Sequence, residues 1–283
     1  MKLEQFEEQV FFSTVRITIP QKSGEGASIG TGFIFNAQLN DTQNRFVTLL
    51  ISNKHVYGDP NQKIILNFHR RDPNDVSRPM LGQIRTLQAD EFSGLYLEHP
   101  DPQVDLACLN ISMITQPEQQ IFFKNLHEKM VADFQEPDFL PGKDVWFVGY
   151  PENRYDVTHN LPILRRGCIA SVPKVDFNGR KQMVIDAQVF QGSSGSPVFA
   201  VLGAEYKLVG VVTEMMIRHQ QLQAIPVGVS AGVQQVLGLG IVLKATLVKD
   251  LVDIVTAKIR DELDKQEPEP VSKESHETTE SAT

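Results

Sequence analysis

The sequence predicts a mainly β protein. Short runs rich in Val, Ile, Phe and Thr recur along the chain with turn residues between them, which is typical of β-strands. Helical periodicity is limited to two segments, and 283 residues, 41% hydrophobic and 22% charged, suffice for one large domain or two lobes with their own cores. The strand runs, in order, are STVRITI, GTGFIFN, RFVTLLIS, KIILNFH, LACLNI, VWFVGY, CIASV, QMVIDAQV, SPVFAVL and KLVGVV. This many strands predicts a sandwich or barrels.

The strand runs fall into two sets, which a predicted helical connection separates. Four apolar residues recur at a spacing that places them on one face of a helix, and the Pro-containing loop FQEPDFLPG follows them. These residues are Phe122, Leu126, Met130 and Phe134. We therefore expect an N-terminal strand set over residues 1–115, the helical connection over 116–141 and a C-terminal strand set over 142–243.

The end of the chain predicts a closing helix and an acidic tail. An apolar stripe at helical spacing follows Thr246, a candidate N-cap, so we expect a helix over residues 244–265. The stripe consists of Leu247, Val248, Leu251, Val252, Val255 and Ile259. Residues 266–283 contain five Glu, one Lys and no aromatic residue, and such a segment buries too little apolar surface to offset the entropy lost on ordering. We expect a disordered tail, either a solvated segment or, as the alternative, a docking tail for a basic partner.

Composition and charge exclude several classes of function. The formal net charge of −8 argues against a nucleic-acid-binding protein, which needs a basic surface. No apolar run approaches the roughly 20 residues that cross a bilayer, and the start MKLEQFEEQVFF has glutamates where a signal peptide has basic residues, so we expect a cytoplasmic protein without membrane contact. Cys108 and Cys168 lie in apolar strand-like runs, and no CxxC or HExxH spacing occurs. We therefore expect no metal site, no cofactor and no need for a disulfide.

The stretch FQGSSGSP, at residues 190–197, predicts either a tight turn or a nucleophilic site. A nucleophilic serine needs an imidazole to accept its proton, a carboxylate to orient the imidazole, and N–H groups aimed at the developing oxyanion. His55 ends the strand-like run VTLLISNK, whereas the other histidines lie beside charges, prolines or turn residues. Asp105 opens the apolar run DLACL, where a lone carboxylate requires a specific partner.

Four segments resemble the signature segments of the chymotrypsin-like serine proteases, and in particular the bacterial trypsin-like peptidases of the HtrA type. They are GTGFIFN at 30–36, SNKHV at 52–56, VDLACL at 104–109 and GSSGSP at 192–197. DVWFVGYP, KLVGVV and GLGIVLKATLVKDLV resemble further strands and the C-terminal helix of that family, so the likeness covers roughly residues 9–260. The order His55, Asp105, Ser194 is that of this fold. An α/β-hydrolase elbow would instead need Gly at the position of Ser196 and a histidine after the nucleophile.

The resemblance implies two six-stranded-type antiparallel β-barrels and a serine endopeptidase that hydrolyses protein or peptide substrates through an acyl-enzyme intermediate. Ser194 is then the nucleophile, His55 the general base and Asp105 the residue that orients His55. The N–H groups of Gly192 and Ser194 form the oxyanion hole, and the glycine is needed because a side chain there would hinder the backbone geometry.

The resemblance also predicts the pocket for the residue before the scissile bond. Its walls would include Gln188, Thr213, Glu214 and Met215. Trypsin-type enzymes have an Asp at the position of the uncharged Gln188, so we do not expect a strong preference for Lys or Arg. Met215 stands where deep pockets have Gly, which favours small or medium uncharged residues. The alternative is that Met215 packs between strands and that Glu214 attracts a basic side chain at another subsite.

Departures from the family pattern change what the resemblance implies. Ser193 stands where pancreatic-type enzymes have an Asp that pairs with a newly cleaved N-terminus, so we expect activity without such cleavage. The chain ends soon after the predicted helix, so we expect neither a PDZ domain nor the trimer and regulation that accompany one. The alternative to an active peptidase is a protease-fold peptide-binding or scaffold protein with an unassembled or regulated triad. A regulatory protein partner is left open.

Overall fold

The computed structural model describes residues 3–22, 26–39, 41, 43–223 and 230–265, with only the backbone described at 218–223 and 230–234. The predicted tail at 266–283 lies outside the described residues. The first described element is helix α1 (Phe6–Ser13), which the sequence analysis did not predict. Its Val10 and Phe12 are buried, so α1 is held by packing against the first sheet and not by its short length alone.

The N-terminal half forms an antiparallel sheet of eight strands. The strands are β1 (Thr14–Pro20), β2 (Ala27–Gln38), β3 (Phe46–Ser52), β4 (Ile64–Arg71), β5 (Pro79–Ala89), β6 (Tyr96–Glu98), β7 (Ala107–Asn110) and β8 (Ile121–Phe122). They pair in the order β5-β4-β1-β2-β3-β7-β6, and β8 pairs with β4. Helix α2 (Lys54–Tyr57) is a single turn directly after β3.

The C-terminal half is a closed six-stranded barrel followed by a helix. The strands are β9 (Asp144–Gly149), β10 (Ile163–Ile169), β11 (Gln182–Asp186), β12 (Pro197–Leu202), β13 (Glu205–Gln223) and β14 (Ser230–Lys244). They close in the order β10-β11-β14-β13-β12-β9. Helix α3 (Ala245–Asp264) buries Leu247, Leu251 and Val255 of the predicted stripe. The mainly β fold and the C-terminal helix are therefore confirmed.

The predicted helical connection is wrong. Between the halves the chain forms two short 3₁₀ turns (Pro117–Gln119 and Glu128–Met130) and the strand β8. The backbone hydrogen bonds of this segment go to neighbouring strands: Leu126 N–H donates to the carbonyl of Ile34, and the Leu126 carbonyl accepts from Asn36. Phe134 has φ 66°, which no helix accommodates. The apolar spacing thus reflects burial against the first sheet and not a helical face.

The core places the ends of β2 and β3 between the two halves. Adjacent side chains of a strand point to opposite faces, and here both faces are buried. Phe33 and Phe35 of β2 belong to a cluster shared with the barrel and α3, whereas Ile34 and Leu50 belong to a second cluster inside the first sheet. Each such side chain contributes about 1.5–3 kcal/mol when fully buried. Residues that follow these strands are therefore fixed at the junction of the halves.

Candidate active site

His55 lies in the single turn α2, just beyond the buried end of β3. Asn53, which precedes α2, anchors this turn: it is buried, and its Nδ2 donates to the Asp105 carbonyl at 2.8 Å. On the other side, Val56 packs so closely on β2 that a Cβ at Gly30 would lie 2.4 Å from its side chain. The glycine of the GTG segment therefore lets the strand approach the turn that holds the imidazole.

His55 and Asp105 form a direct pair. His55 Nδ1 lies 2.6 Å from Asp105 Oδ2, and the His55 backbone N–H donates to Asp105 Oδ1 at 3.1 Å. The imidazole is half exposed, at 50%, and the carboxylate less so, at 31%. Because Nδ1 faces the carboxylate, Nε2 is the nitrogen left to accept a proton.

Thr213 supplies a further donor to the same carboxylate. Thr213 is buried on β13, and its Oγ1 donates to Asp105 Oδ2 at 3.0 Å. Burial alone would raise the pKa of Asp105, but the hydrogen bonds and positive charge of His55, with the Thr213 bond, outweigh it and lower the pKa. Asp105 is therefore held as a carboxylate and in one orientation.

Two glycines in left-handed conformations shape the loop that carries Ser194. Gly192 has φ 85° and Gly195 φ 84°. A Cβ at Gly192 would lie 2.3 Å from the Tyr150 carbonyl oxygen, and one at Gly195 would lie 1.9 Å from the Thr31 carbonyl oxygen. Both positions therefore require glycine for conformation and for space. Ser193 is buried, and its N–H donates to the Phe190 carbonyl at 3.0 Å.

Thr31 of β2 braces this loop from the other half of the molecule. Its N–H donates to the Ser194 carbonyl at 3.0 Å, and its Oγ1 donates to the Gly192 carbonyl at 2.8 Å. Thr31 is fully buried. The sequence signal for this role of Thr31 is limited to a hydroxyl between the two glycines of the GTG segment.

The carbonyls of Gly192 and Ser194 are both engaged, but their amides are not. Within the described residues neither N–H has a hydrogen-bond acceptor. Both residues line a cavity of about 620 Å³ together with His55. Unpaired amides beside an imidazole and a hydroxyl are the arrangement that an oxyanion requires.

The Ser194 hydroxyl donates to the Thr213 carbonyl at 3.1 Å. In the described part of the chain no hydrogen bond joins Ser194 Oγ to His55. Of the three predicted catalytic residues, His55 and Ser194 line this cavity and Asp105 contacts it through His55, with the Ser194 hydroxyl directed at β13 and not at the imidazole.

The four residues predicted to form the specificity pocket lie outside this cavity. Gln188 and Glu214 are exposed, and Met215 is half buried against the core of the barrel. Thr213 contacts the site through Asp105 and Ser194. None of the four residues lines the cavity, so their role as pocket walls stays a prediction.

The cavity is lined by residues from both halves, several of which the sequence analysis did not single out. They are Gln21, Ala27, Ser28, Ile29, His55, Val56, Glu152, Asn153, Gln191, Gly192 and Ser194. Glu152 and Asn153 have φ 48° and 56°, a rare conformation for residues with a side chain. Only the enrichment of Asn at such positions was available as a signal in the sequence.

Cys108 and Cys168 are free thiols, and burial raises the pKa of Cys108 to about 12. In the described ranges no three His, Cys, Asp or Glu side chains converge in a way that could hold a metal ion. None of the helices in those ranges combines the length and apolarity needed to span a membrane.

This chain is similar to a known protein family in sequence and to known proteins in structure. Residues 30–211 match the trypsin-like peptidase domain, and no curated protein matches the sequence. An HtrA-type protease with a bound tripeptide is similar in structure, with a TM-score of 0.50 and 16% identity over 88% of this chain and 61% of that one. The chain thus spans less than two thirds of that structure's length.

Further similar structures are the Rv3671c protease from M. tuberculosis in its active form (TM-score 0.47, 18% identity, 86% of this chain and 81% of that one) and a catalytically inactive tobacco etch virus protease with substrate (TM-score 0.45, 12% identity, 75% and 76%). These identities are low, and the family assignment rests on the sequence match, which spans more than half of the chain. The chain belongs to the family of trypsin-like peptidase domains.

Proposed function

We propose that the chain is a serine endopeptidase in which Ser194 is the nucleophile, His55 the general base and Asp105 the orienting carboxylate. The observation that carries this proposal is the His55 Nδ1 to Asp105 Oδ2 contact of 2.6 Å beside a cavity that Ser194 and two unpaired amides also line. An imidazole oriented in this way has its other nitrogen available for the serine proton.

In the first step Ser194 Oγ attacks the carbonyl carbon of the scissile amide, and its proton passes to His55 Nε2. Asp105 stabilises the resulting imidazolium through the Nδ1–H hydrogen bond. The N–H groups of Gly192 and Ser194 donate to the carbonyl oxygen as it becomes negative. A donor of this kind contributes about 10² to 10³ in rate.

The tetrahedral intermediate then loses the amine, which takes the proton back from His55. The remaining acyl group is an ester on Ser194 Oγ. Water attacks this ester, His55 accepts the proton of the water and returns it to Ser194 Oγ, and the carboxylic acid is released. No cofactor enters any of these steps.

Because the Ser194 hydroxyl donates to the Thr213 carbonyl, it must turn away from that carbonyl before it can donate to His55. Such a rotation between staggered positions is fast compared with turnover. The same hydrogen bond favours a second candidate function, a peptide-binding protein whose triad stays unassembled. The two functions differ in what a bound substrate does. In a peptidase the substrate breaks the hydrogen bond between Ser194 Oγ and the Thr213 carbonyl, whereas in a peptide-binding protein this bond persists.

A fluorophosphonate probe with a peptide-cleavage assay tests the proposal. Ser194→Ala should abolish labelling and leave only the residual hydrolysis that binding and the oxyanion hole give. Ser196→Ala is the matched control in the same loop, because its buried Oγ has no hydrogen-bond partner among the described residues. Wild-type protein that binds peptides but is neither labelled nor active would support the peptide-binding alternative.

A further inference from the structure

One acidic side chain lines the cavity at Ser194. Among the described lining residues Glu152 is the only Asp or Glu, and none of them is a Lys or Arg. We call this space the leaving-group cavity; its residues are those given above for the 620 Å³ cavity.

The position of the cavity relative to Ser194 determines which side of the scissile bond it receives. The resemblance assigns the residue before the bond to walls at Gln188 and 213–215, and none of these residues lines the cavity. The cavity instead extends from Ser194 past Gly192 to Glu152 and to the 27–29 segment of β2. A peptide whose residue before the scissile bond occupied the predicted walls would place the residues that follow the bond in this cavity.

Glu152 is held in place beside the oxyanion amides. Its N–H donates to the Gln191 carbonyl at 2.5 Å, and its backbone is in the left-handed region at φ 48°. The next residue, Asn153, accepts a hydrogen bond from Arg16 Nε at 2.8 Å, and the Arg16 guanidinium lies 5.1 Å from the centre of the Tyr155 ring. Strained backbone of this kind is maintained where a loop must present a group in one position.

The nearest cation competes only weakly for the Glu152 carboxylate. Arg154 Nε lies 3.9 Å from Glu152 Oε2, and the two side chains are 79% and 56% exposed. Exposed pairs of this kind contribute little. A substrate cation can therefore replace Arg154 as the partner of Glu152, and the formal charge of −8 attracts basic peptides to the molecule as a whole.

We infer that Glu152 is a specificity-determining residue that selects substrates with Lys or Arg on the amine side of the scissile bond. The inference rests on the proposed peptidase function and names its substrate class. An exposed ion pair corresponds to a preference of about two- to fivefold, and the preference should shrink as salt screens it.

Acyl transfer isolates this side of the site. A peptide ester first acylates Ser194, and an added amino acid amide then competes with water: its amine attacks the acyl carbonyl, His55 takes the amine proton, and Ser194 leaves with that proton. Argininamide should capture the acyl group about two to five times more efficiently than glutaminamide, and glutamate α-amide less efficiently than either. The group before the scissile bond is identical in every reaction, so the ratio reports the leaving-group cavity alone.

Matched variants decide the assignment. Glu152→Gln should equalise argininamide and glutaminamide, whereas Glu91→Gln makes the same charge change at an exposed position outside the cavity and should leave the ratio unchanged. Arg154→Gln should raise the ratio by removing the competing cation. An unchanged ratio in Glu152→Gln, or a loss of preference in Glu91→Gln, would overturn the inference while leaving the peptidase function standing.

Binding to Ser194→Ala gives a readout that does not need turnover. Fluorescent peptides that differ only in Arg, Gln or Glu after the scissile position should bind in that order, and Glu152→Gln in the Ser194→Ala background should remove the order. If the wild-type chain is neither labelled nor acylated, the peptidase proposal fails. Equal affinities for the three peptides would overturn the Glu152 inference, whether or not the chain is a peptidase.

Discussion

Gly192→Ala should remove most of the catalytic rate while the protein still folds. Gly192 has φ 85°, and an added Cβ would lie 2.3 Å from the Tyr150 carbonyl oxygen. The obstructing atom belongs to the backbone, so no flexible side chain can move aside. A normal contact needs about 1 Å more, and this displacement falls on the residue whose N–H is proposed to bind the oxyanion.

The loss of stability has two terms, and the loss of rate is estimated separately. The left-handed conformation costs an alanine about 1–2 kcal/mol of stability, and the backbone contact adds about 1–3 kcal/mol by analogy with overpacking. Losing one oxyanion donor lowers kcat by about 10² to 10³. We therefore expect a folded variant with a lower Tm whose kcat falls by two to three orders of magnitude, with a smaller change in KM.

Gly203→Ala is the control for the first term. Gly203 lies in the turn between β12 and β13 with φ 60°, and a Cβ there would meet nothing within 4 Å. It should lower Tm through the conformational cost alone and leave kcat unchanged. Steady-state kinetics on a peptide ester with thermal unfolding of both variants provides the comparison. A Gly192→Ala enzyme that keeps kcat within threefold of wild type would refute the oxyanion assignment.

Three further outcomes are expected. Thr213→Val removes a hydrogen bond to a carboxylate, worth about 1.5–3 kcal/mol, so kcat should fall about tenfold or more, and Thr213→Ser should restore it; equal kinetics of the two variants would contradict this. Burial lowers the pKa of His69 from 6.5 to about 4. Between these two values the unfolded chain binds one more proton than the folded chain, so the free energy of unfolding falls as the pH falls. Urea unfolding should show a loss of about 2 kcal/mol at pH 5 relative to neutral pH, and His69→Gln should not show it. Leu251→Ala in α3 opens a cavity at a fully buried position and should cost about 2–5 kcal/mol in urea unfolding; a cost below 1 kcal/mol would mean that α3 is not part of the cooperative core.

The segments that carry His55, Asp105 and Ser194 were predictable because each depends on local features of the sequence. His55 follows a buried strand, Asp105 shortly precedes another, and the glycines beside Ser194 mark left-handed backbone. The contacts of Thr31 with the Ser194 loop join residues more than 160 positions apart. No local pattern encodes such a contact, so the support of the loop could only be found in the structure.

Two departures from the predicted secondary structure have opposite causes. Strand β5 (Pro79–Ala89) is largely exposed, so it lacks the apolar alternation that identifies a strand and is held by its pairing with β4. The segment from Phe122 to Phe134 has apolar residues at a helical spacing, but strands β2 and β4 supply its backbone partners. Tertiary pairing overrides local periodicity in both cases.

Thr213 shows why the geometry of the site depends on the packing between the halves. Its hydroxyl donates to Asp105 of the N-terminal half, and its carbonyl accepts from Ser194 of the C-terminal half. Thr31 makes the reciprocal connection, from β2 to the loop of Ser194. Both residues are buried where the larger apolar cluster joins the two halves. A small relative shift of the halves would therefore separate Asp105 from Thr213. The same shift would displace the Gly192 and Ser194 amides, which Thr31 holds in place from the other half. Catalysis should therefore fail before either half unfolds.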